Sequence, residues 1–311
     1  MNQMQTPEAD GRPSKSDWLD RMGQIGDMHG FFDPLGADHY ALYVQEGDTL
    51  LVCFDEMTRI LKRGREALPV GFDAVQKREW SMLSLIAKGP TWFRDPALYT
   101  FFDRLIDEDF FDSFDQVIFL GAGPMCGYAA AAFSVAAPGA KVIALSPAAT
   151  LDRSAAPYEL RFRRAWRKTF TDRFGFAPDM LDAASEAWIA YDPLDLLDAA
   201  HAAQFRGRKV NRLRFRGAGP DLLRLLDPQS NLDRILKATG NGRMSAGRFA
   251  QIVRRLRREN PDYLRRLMAR VEERGGDRFT RIVADHALAV TGDAHYARRM
   301  MTLQATATEP A

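Results

Sequence analysis

The apolar positions of this chain fall into short buried runs separated by amphipathic stretches. HYALYV (39–44), TLLVCF (49–54) and WSMLSLIA (80–87) read as strands, and the turn Glu46-Gly47-Asp48 joins the first two. VIFL (117–120), KVIALSP (141–147), EAWIAYD (186–192) and KVNRLRF (209–215) read as four more. Helical periods lie between them: residues 96–106, the small-residue stretch after Pro124, and LDLLDAAHAAQF. Ser16 is placed to cap an earlier helix that carries Trp18, Leu19, Met22 and Ile25 on one face, and HGFFDPLG then reads as a loop. Strands alternating with helices predict an α/β fold, a mostly parallel sheet with helices on both faces in a three-layer sandwich. Segments 117–120, 141–145, 186–191 and 209–215 are expected to lie side by side and parallel.

After about Leu232 the strand pattern stops. Helical periods cover 246–258, 262–274, 277–291 and 294–303, which resembles helix-turn-helix repeats of the tetratricopeptide type. Leu256, Leu264, Leu267 and Leu288, with Phe249, Phe279 and Ile282, are expected to form one shared core for this all-helical module. The expected organisation is a disordered lead (1–15), an α/β domain (16–235), a helical module (236–303) and a disordered tail (304–311).

Composition narrows the chemistry. The chain has 311 residues, is 46% hydrophobic and carries a formal net charge of only +2, so no global field argues for nucleic acid or membrane. Its two cysteines, Cys53 and Cys126, sit far apart in apolar surroundings, which argues for a reducing compartment rather than a disulfide framework. With five scattered histidines there is no metal-ligand spacing. The polar N-terminus has no apolar signal core, and no run is long enough to span a bilayer; the expectation is a cytoplasmic protein without a cofactor.

One segment carries most of the chemical information: VIFLGAGPMCGYAAAAFSVAAPGAKVIALSP, a strand, a glycine turn, a small-residue helix and a strand. It resembles the nucleophile elbow of the α/β-hydrolase family, G-x-S-x-G. Gly121, Gly123, Pro124, Met125 and Gly127 form the elbow and the turn that would build an oxyanion site. Aligned on Gly127-Tyr128-Ala129, Pro124 stands where the serine belongs; aligned on Gly121, Gly123 does. Neither side chain can attack a carbonyl. The resemblance, over residues 38 to 226, is to hydrolase-like proteins of bacterial surface-polysaccharide and accessory-secretion systems. It implies that Asp192 is the triad acid and that the loop after Phe215 delivers the histidine. That loop is Arg216-Gly217-Ala218-Gly219-Pro220, without one.

Other readings compete. Cys126 near a helix start is a possible substitute nucleophile, with His201 and Asp198 or Asp192 as its helpers; the competing reading of Cys126 is core packing. His29 and His39 flank the first strands. GAGPMC is one glycine short of a dinucleotide fingerprint, since Cys126 takes the third glycine position, and no acidic residue closes the next strand. Similar chains sometimes carry the label phosphoadenosine phosphosulfate reductase. The serine-glycine-rich phosphate loop and the Glu-Cys-Gly segment of that family are both missing. Arg254, Arg255, Arg257 and Arg258, with Arg265 and Arg266, suit an acidic protein or an anionic glycan as partner. The expectation is a degenerate, non-catalytic binding or scaffold protein of surface-polysaccharide or envelope biosynthesis. The alternative is an esterase or acyl transferase using Cys126.

Overall fold

A computed structural model describes residues 12–226 and 230–308. Eight strands form one sheet: β1 (Gly30–Leu35), β2 (His39–Val44), β3 (Thr49–Glu56), β4 (Ser81–Ala87), β5 (Gln116–Ala122), β6 (Lys141–Leu145), β7 (Glu186–Tyr191) and β8 (Val210–Arg214). Their order is β1-β2-β4-β3-β5-β6-β7-β8. β2 pairs antiparallel with both neighbours, and every pair from β4 to β8 is parallel. β2 therefore runs against all the others, the arrangement of an α/β-hydrolase-like sheet. The four segments expected side by side are β5 to β8. Parallel neighbours place all their carboxyl ends on one edge, where ligands meet open α/β sheets.

Thirteen helices complete the described chain. α1 (Lys15–His29), α2 (Met57–Lys62), α3 (Phe72–Gln76), α4 (Pro96–Asp107), α5 (Pro124–Phe133), α6 (Ala177–Met180) and α7 (Leu196–Gln204) come first. α8 (Leu222–Leu226), α9 (Asn231–Gly240), α10 (Ala246–Glu259), α11 (Pro261–Glu273), α12 (Asp277–Thr291) and α13 (Ala294–Thr308) follow. Two cores flank the sheet. On one face α4 to α7 pack with the long β6–β7 connection, around Phe54, Phe102, Phe119, Phe133 and Tyr128. On the other, α1, α2, α3, α8, α9 and α10 cover Leu51, Ile118, Leu120 and Ile143. Among the described residues no helix is long and apolar enough to cross a membrane.

The structure departs from the sequence reading in several places. HGFFDPLG is not a loop: Gly30 to Leu35 form edge strand β1. Pro34 is tolerated there because an edge leaves one row of N–H groups unpaired. Aromatic contacts fix the strand, with Phe31 on Tyr43 and Phe32 stacked on Tyr40 at 5.1 Å. Ser14, not Ser16, caps α1, accepting the Asp17 N–H at 3.2 Å. β2 and β3 are linked by the expected turn but are not paired, since β4 lies between them. Residues 304–308 continue α13 rather than forming a loose tail, and most of the expected lead, 1–11, lies outside the described residues.

The C-terminal helices do not share one core. Phe249, Ile252, Val253 and Leu256 of α10, with Tyr263 of α11, belong to the core under the sheet. Leu264 and Met268 turn the other way and pack with Ala284, Ala287 and Tyr296. Phe279 and Ile282, expected inside, are 65% and 56% exposed. The helical period was read correctly; which face meets which neighbour depends on tertiary contacts that periodicity does not contain. Leu256→Ala should therefore cost about 2–5 kcal/mol in urea unfolding, whereas Phe279→Ala should stay within about 0.5 kcal/mol. Equal costs would contradict this division of the helices.

Candidate functional site at the carboxyl edge of the sheet

The chain passes from β5 to α5 through a single residue, Gly123, with φ 85° and ψ 169°. A residue with a side chain rarely adopts that φ without strain, and an enzyme of this fold accepts such strain to expose its nucleophile. The positive-φ position of the turn is therefore Gly123, the one marked by the alignment on Gly121, and Pro124 is the first residue of α5. Gly121 itself is obligatory, because a Cβ there would meet the Cys126 carbonyl oxygen at 2.0 Å. Met125 and Gly127 secure the turn from behind: Met125 Sδ accepts the Trp92 N–H at 3.2 Å, and Gly127 lies against Pro147.

Space in front of Gly123 is filled by Arg59 of α2. Its Nη1 donates to the Ala122 carbonyl at 2.7 Å and would lie 2.8 Å from a Cβ on Gly123. Its Nη2 reaches Asp221 at 3.3 Å. An oxyanion site needs the N–H of the residue after the nucleophile and another from the end of β3. Pro124 has no N–H. The Glu56 N–H is spent on the Asp55 carboxylate at 2.9 Å, which also takes the Val70 N–H and pairs with Arg63.

Asp192 sits at the end of β7, buried, where the hydrolase resemblance puts the acid. It holds no imidazole. Its two oxygens accept the Gly217 and Gly219 N–H groups, each at 2.9 Å, and Oδ1 also accepts that of Leu194. The carboxylate thus pins the loop that would carry the histidine. Gly217 and Gly219 have φ of 86° and 74°. A Cβ at Gly217 would come within 2.8 Å of Arg270, and one at Gly219 within 3.0 Å of Arg266. Helix α11 lies over this loop, with the Tyr263 hydroxyl donating to the Arg216 carbonyl and Arg266 to that of Ala218.

The remaining sequence candidates are placed apart. Cys126 is fully buried in the first turn of α5, and burial, reinforced by Asp55, pushes its thiol far above the usual range. That environment opposes the thiolate a nucleophile needs. His201 is buried on α7, with Nε2 3.0 Å from Glu159 and Nδ1 facing the Ala149 N–H at 3.2 Å and the Tyr158 hydroxyl at 3.3 Å. Asp198 bonds Arg161 at 2.8 Å, and burial raises its pKa. The Ser146 hydroxyl is buried beside Asp198. His39 is buried against Thr91, Nε2 to Oγ1 2.7 Å, with its pKa lowered by burial; His29 is exposed near Glu46.

The arginine clusters of α10 and α11 do not converge. Arg255 pairs with Glu259, Arg257 with the Tyr263 hydroxyl, and Arg265 with Asp262 and Asp293. Convergence occurs instead at the elbow. Arg59 and Lys62 of α2, Arg63 at its C-cap, Arg12, Leu223 and Arg224, with Asp221, line an open cavity of about 770 Å³. The sequence reading passed over them, although three basic residues at helical spacing directly after a buried strand are a visible signal.

No protein-family model matches the chain, and no curated protein does. Among solved structures, an esterase of Pyrococcus furiosus aligns at 11% identity and TM-score 0.42, over 75% of this chain and 98% of the esterase. An esterase of Pyrobaculum calidifontis aligns at 14% and 0.39, over 72% and 91%. The serogroup A capsule O-acetyltransferase of Neisseria meningitidis aligns at 10% and 0.38, over 65% and 93%. Similarity at this level says nothing of activity here.

The buried network around His201 has a pH signature. Burial pushes Glu159 up, but hydrogen bonds from His201 and Arg161 outweigh it and hold the carboxylate down at about 2, from an ordinary 4.5. A depressed carboxylate stabilises fully above its unfolded pKa and loses that contribution as pH falls through its folded one. Glu159→Gln should therefore cost on the order of 3 kcal/mol at pH 6. The gap to wild type should narrow steadily between about pH 4.5 and 2. A gap that does not change with pH would show that Glu159 is not so held.

Proposed function

We propose that this chain is a non-catalytic binding protein on an α/β-hydrolase-like scaffold, which uses the carboxyl edge of its sheet to hold a ligand rather than cleave one. The observation that carries this reading is the Arg59 guanidinium in the nucleophile's place, bonded to the elbow carbonyl of Ala122 and lying beside a glycine. Three further features support it. The elbow proline removes an oxyanion donor, Asp192 is committed to backbone N–H groups, and the histidine loop is closed to side chains by Arg266 and Arg270. Acyl transfer needs a nucleophile, a base and a stabilised oxyanion together.

The resemblance of residues 38–226 to hydrolase-like proteins of bacterial surface-polysaccharide and accessory-secretion systems supplies the setting we propose. The alternative enzyme, an esterase or acyl transferase using Cys126, lacks a base: both His201 nitrogens face other groups. A cytoplasmic location and an acidic partner at the exposed Arg254 and Arg258 of α10 belong to the same proposal.

Restoring the nucleophile tests it. Gly123→Ser should displace the Arg59 guanidinium yet yield neither ester turnover above wild type nor labelling by a fluorophosphonate, because no base or oxyanion donor awaits it. Cys126→Ala should leave any background rate unchanged and cost about 1 kcal/mol of stability. Robust turnover in wild type that Cys126→Ala abolishes, or labelling of Gly123→Ser at the new serine, would overturn the non-catalytic reading.

A further inference from the structure

We infer that the cavity beside the elbow is a seat for a small polar ligand bearing two or more phosphate or sulfate groups, an inference that rests on the non-catalytic reading and gives its ligand a chemical class. Of the seven residues that line the cavity among the described residues, five are cationic (Arg12, Arg59, Lys62, Arg63 and Arg224), one is acidic (Asp221) and one apolar (Leu223). Among the described residues Arg63 pairs with the buried Asp55 and Arg224 with Asp262, carboxylates outside the cavity lining. Asp221 is taken by Arg59. Lys62 is exposed and makes no ion pair among the described residues.

The lining nonetheless sets the exposed Lys62 beside oriented arginines, and the positive local field draws an anion.

The arrangement is also built rather than incidental. Arg59 is half-buried and held from two sides by the Ala122 carbonyl and Asp221, so its charge has a fixed place. Arg63 is oriented by Asp55 and the Leu68 carbonyl. Arginines fixed in this way lose little further freedom on binding a tetrahedral oxyanion through their remaining N–H donors. The cavity's volume, about 770 Å³, falls in the range of small-molecule sites and exceeds what one inorganic ion fills. With one leucine as its apolar lining, it suits a sugar-like or otherwise polar body more than a hydrocarbon.

Calorimetric titration of the full chain separates this from general basicity. The probes are inorganic pyrophosphate, a disulfated disaccharide and neutral glucose, each at about 50 mM and 150 mM salt. Wild type should bind pyrophosphate or the disulfated sugar, more weakly at the higher salt, and not glucose; which anion binds more tightly distinguishes a phosphate from a sulfate ligand. Lys62→Glu with Arg224→Glu, both exposed positions, should weaken binding by about tenfold or more while a cooperative thermal melt is retained. Arg163→Glu with Arg167→Glu, equally basic and exposed on the β6–β7 connection, should stay within about twofold of wild type. Absence of binding to either anion at the lower salt, or an equal loss in the Arg163/Arg167 variant, would overturn the seat. If ester turnover is also absent, only the seat fails; robust turnover would remove the non-catalytic reading with it.

Discussion

Everything at the carboxyl edge follows from how sharply the chain turns between β5 and α5. One residue with positive φ joins the central strand to the central helix, and Gly121 lets the two approach to contact distance. In a hydrolase that strain presents a nucleophile. Here the same geometry is kept and its exposed position is a glycine, which adopts the conformation without strain and leaves a space. A guanidinium occupies the space and donates to the Ala122 carbonyl. The tight turn between β5 and α5 thus carries a guanidinium bonded at its exposed position.

Two other parts of the edge are built around this turn. Asp192 remains buried, and a buried carboxylate must be hydrogen-bonded. Without an imidazole it takes backbone N–H groups of Gly217 and Gly219, which stiffens the loop. Those glycines in turn allow α11 to lie close, with Arg266 and Arg270 where side chains would otherwise project. The C-terminal helices are therefore part of the site's architecture as well as of the core, since α10 and Tyr263 pack under the sheet.

Much of this was legible in the sequence, for physical reasons. Seven of the eight strands were legible: β3 to β7 as apolar runs, because strands buried on both faces are apolar throughout, and β2 and β8 as shorter β-rich stretches with polar positions among the apolar ones. β1 did not: its Pro34 and Gly30 look like loop residues, and only pairing with β2 and aromatic contacts make it a strand. That neither a serine at the turn nor a histidine after Phe215 is present was visible as Gly123, Pro124 and Gly217-Ala218-Gly219. What lies against Gly123 was not, since Arg59 is 64 positions away in the chain and reaches it only through the β3–β5 pairing. His201 looked like a partner for Asp198 because they are three residues apart on one helix face. Its actual partner, Glu159, comes from the irregular β6–β7 connection, which has no period to read.

The central claim is that no group at this edge forms a covalent bond with a carbonyl. Intact-mass measurement after incubation with an activated acyl ester, followed by peptide mapping, tests it most directly. The account predicts no stoichiometric adduct on any residue at the carboxyl edge. A single acyl group mapped to Cys126 or another residue beside the elbow, formed by the native protein and lost when it is first heat-denatured, would contradict it.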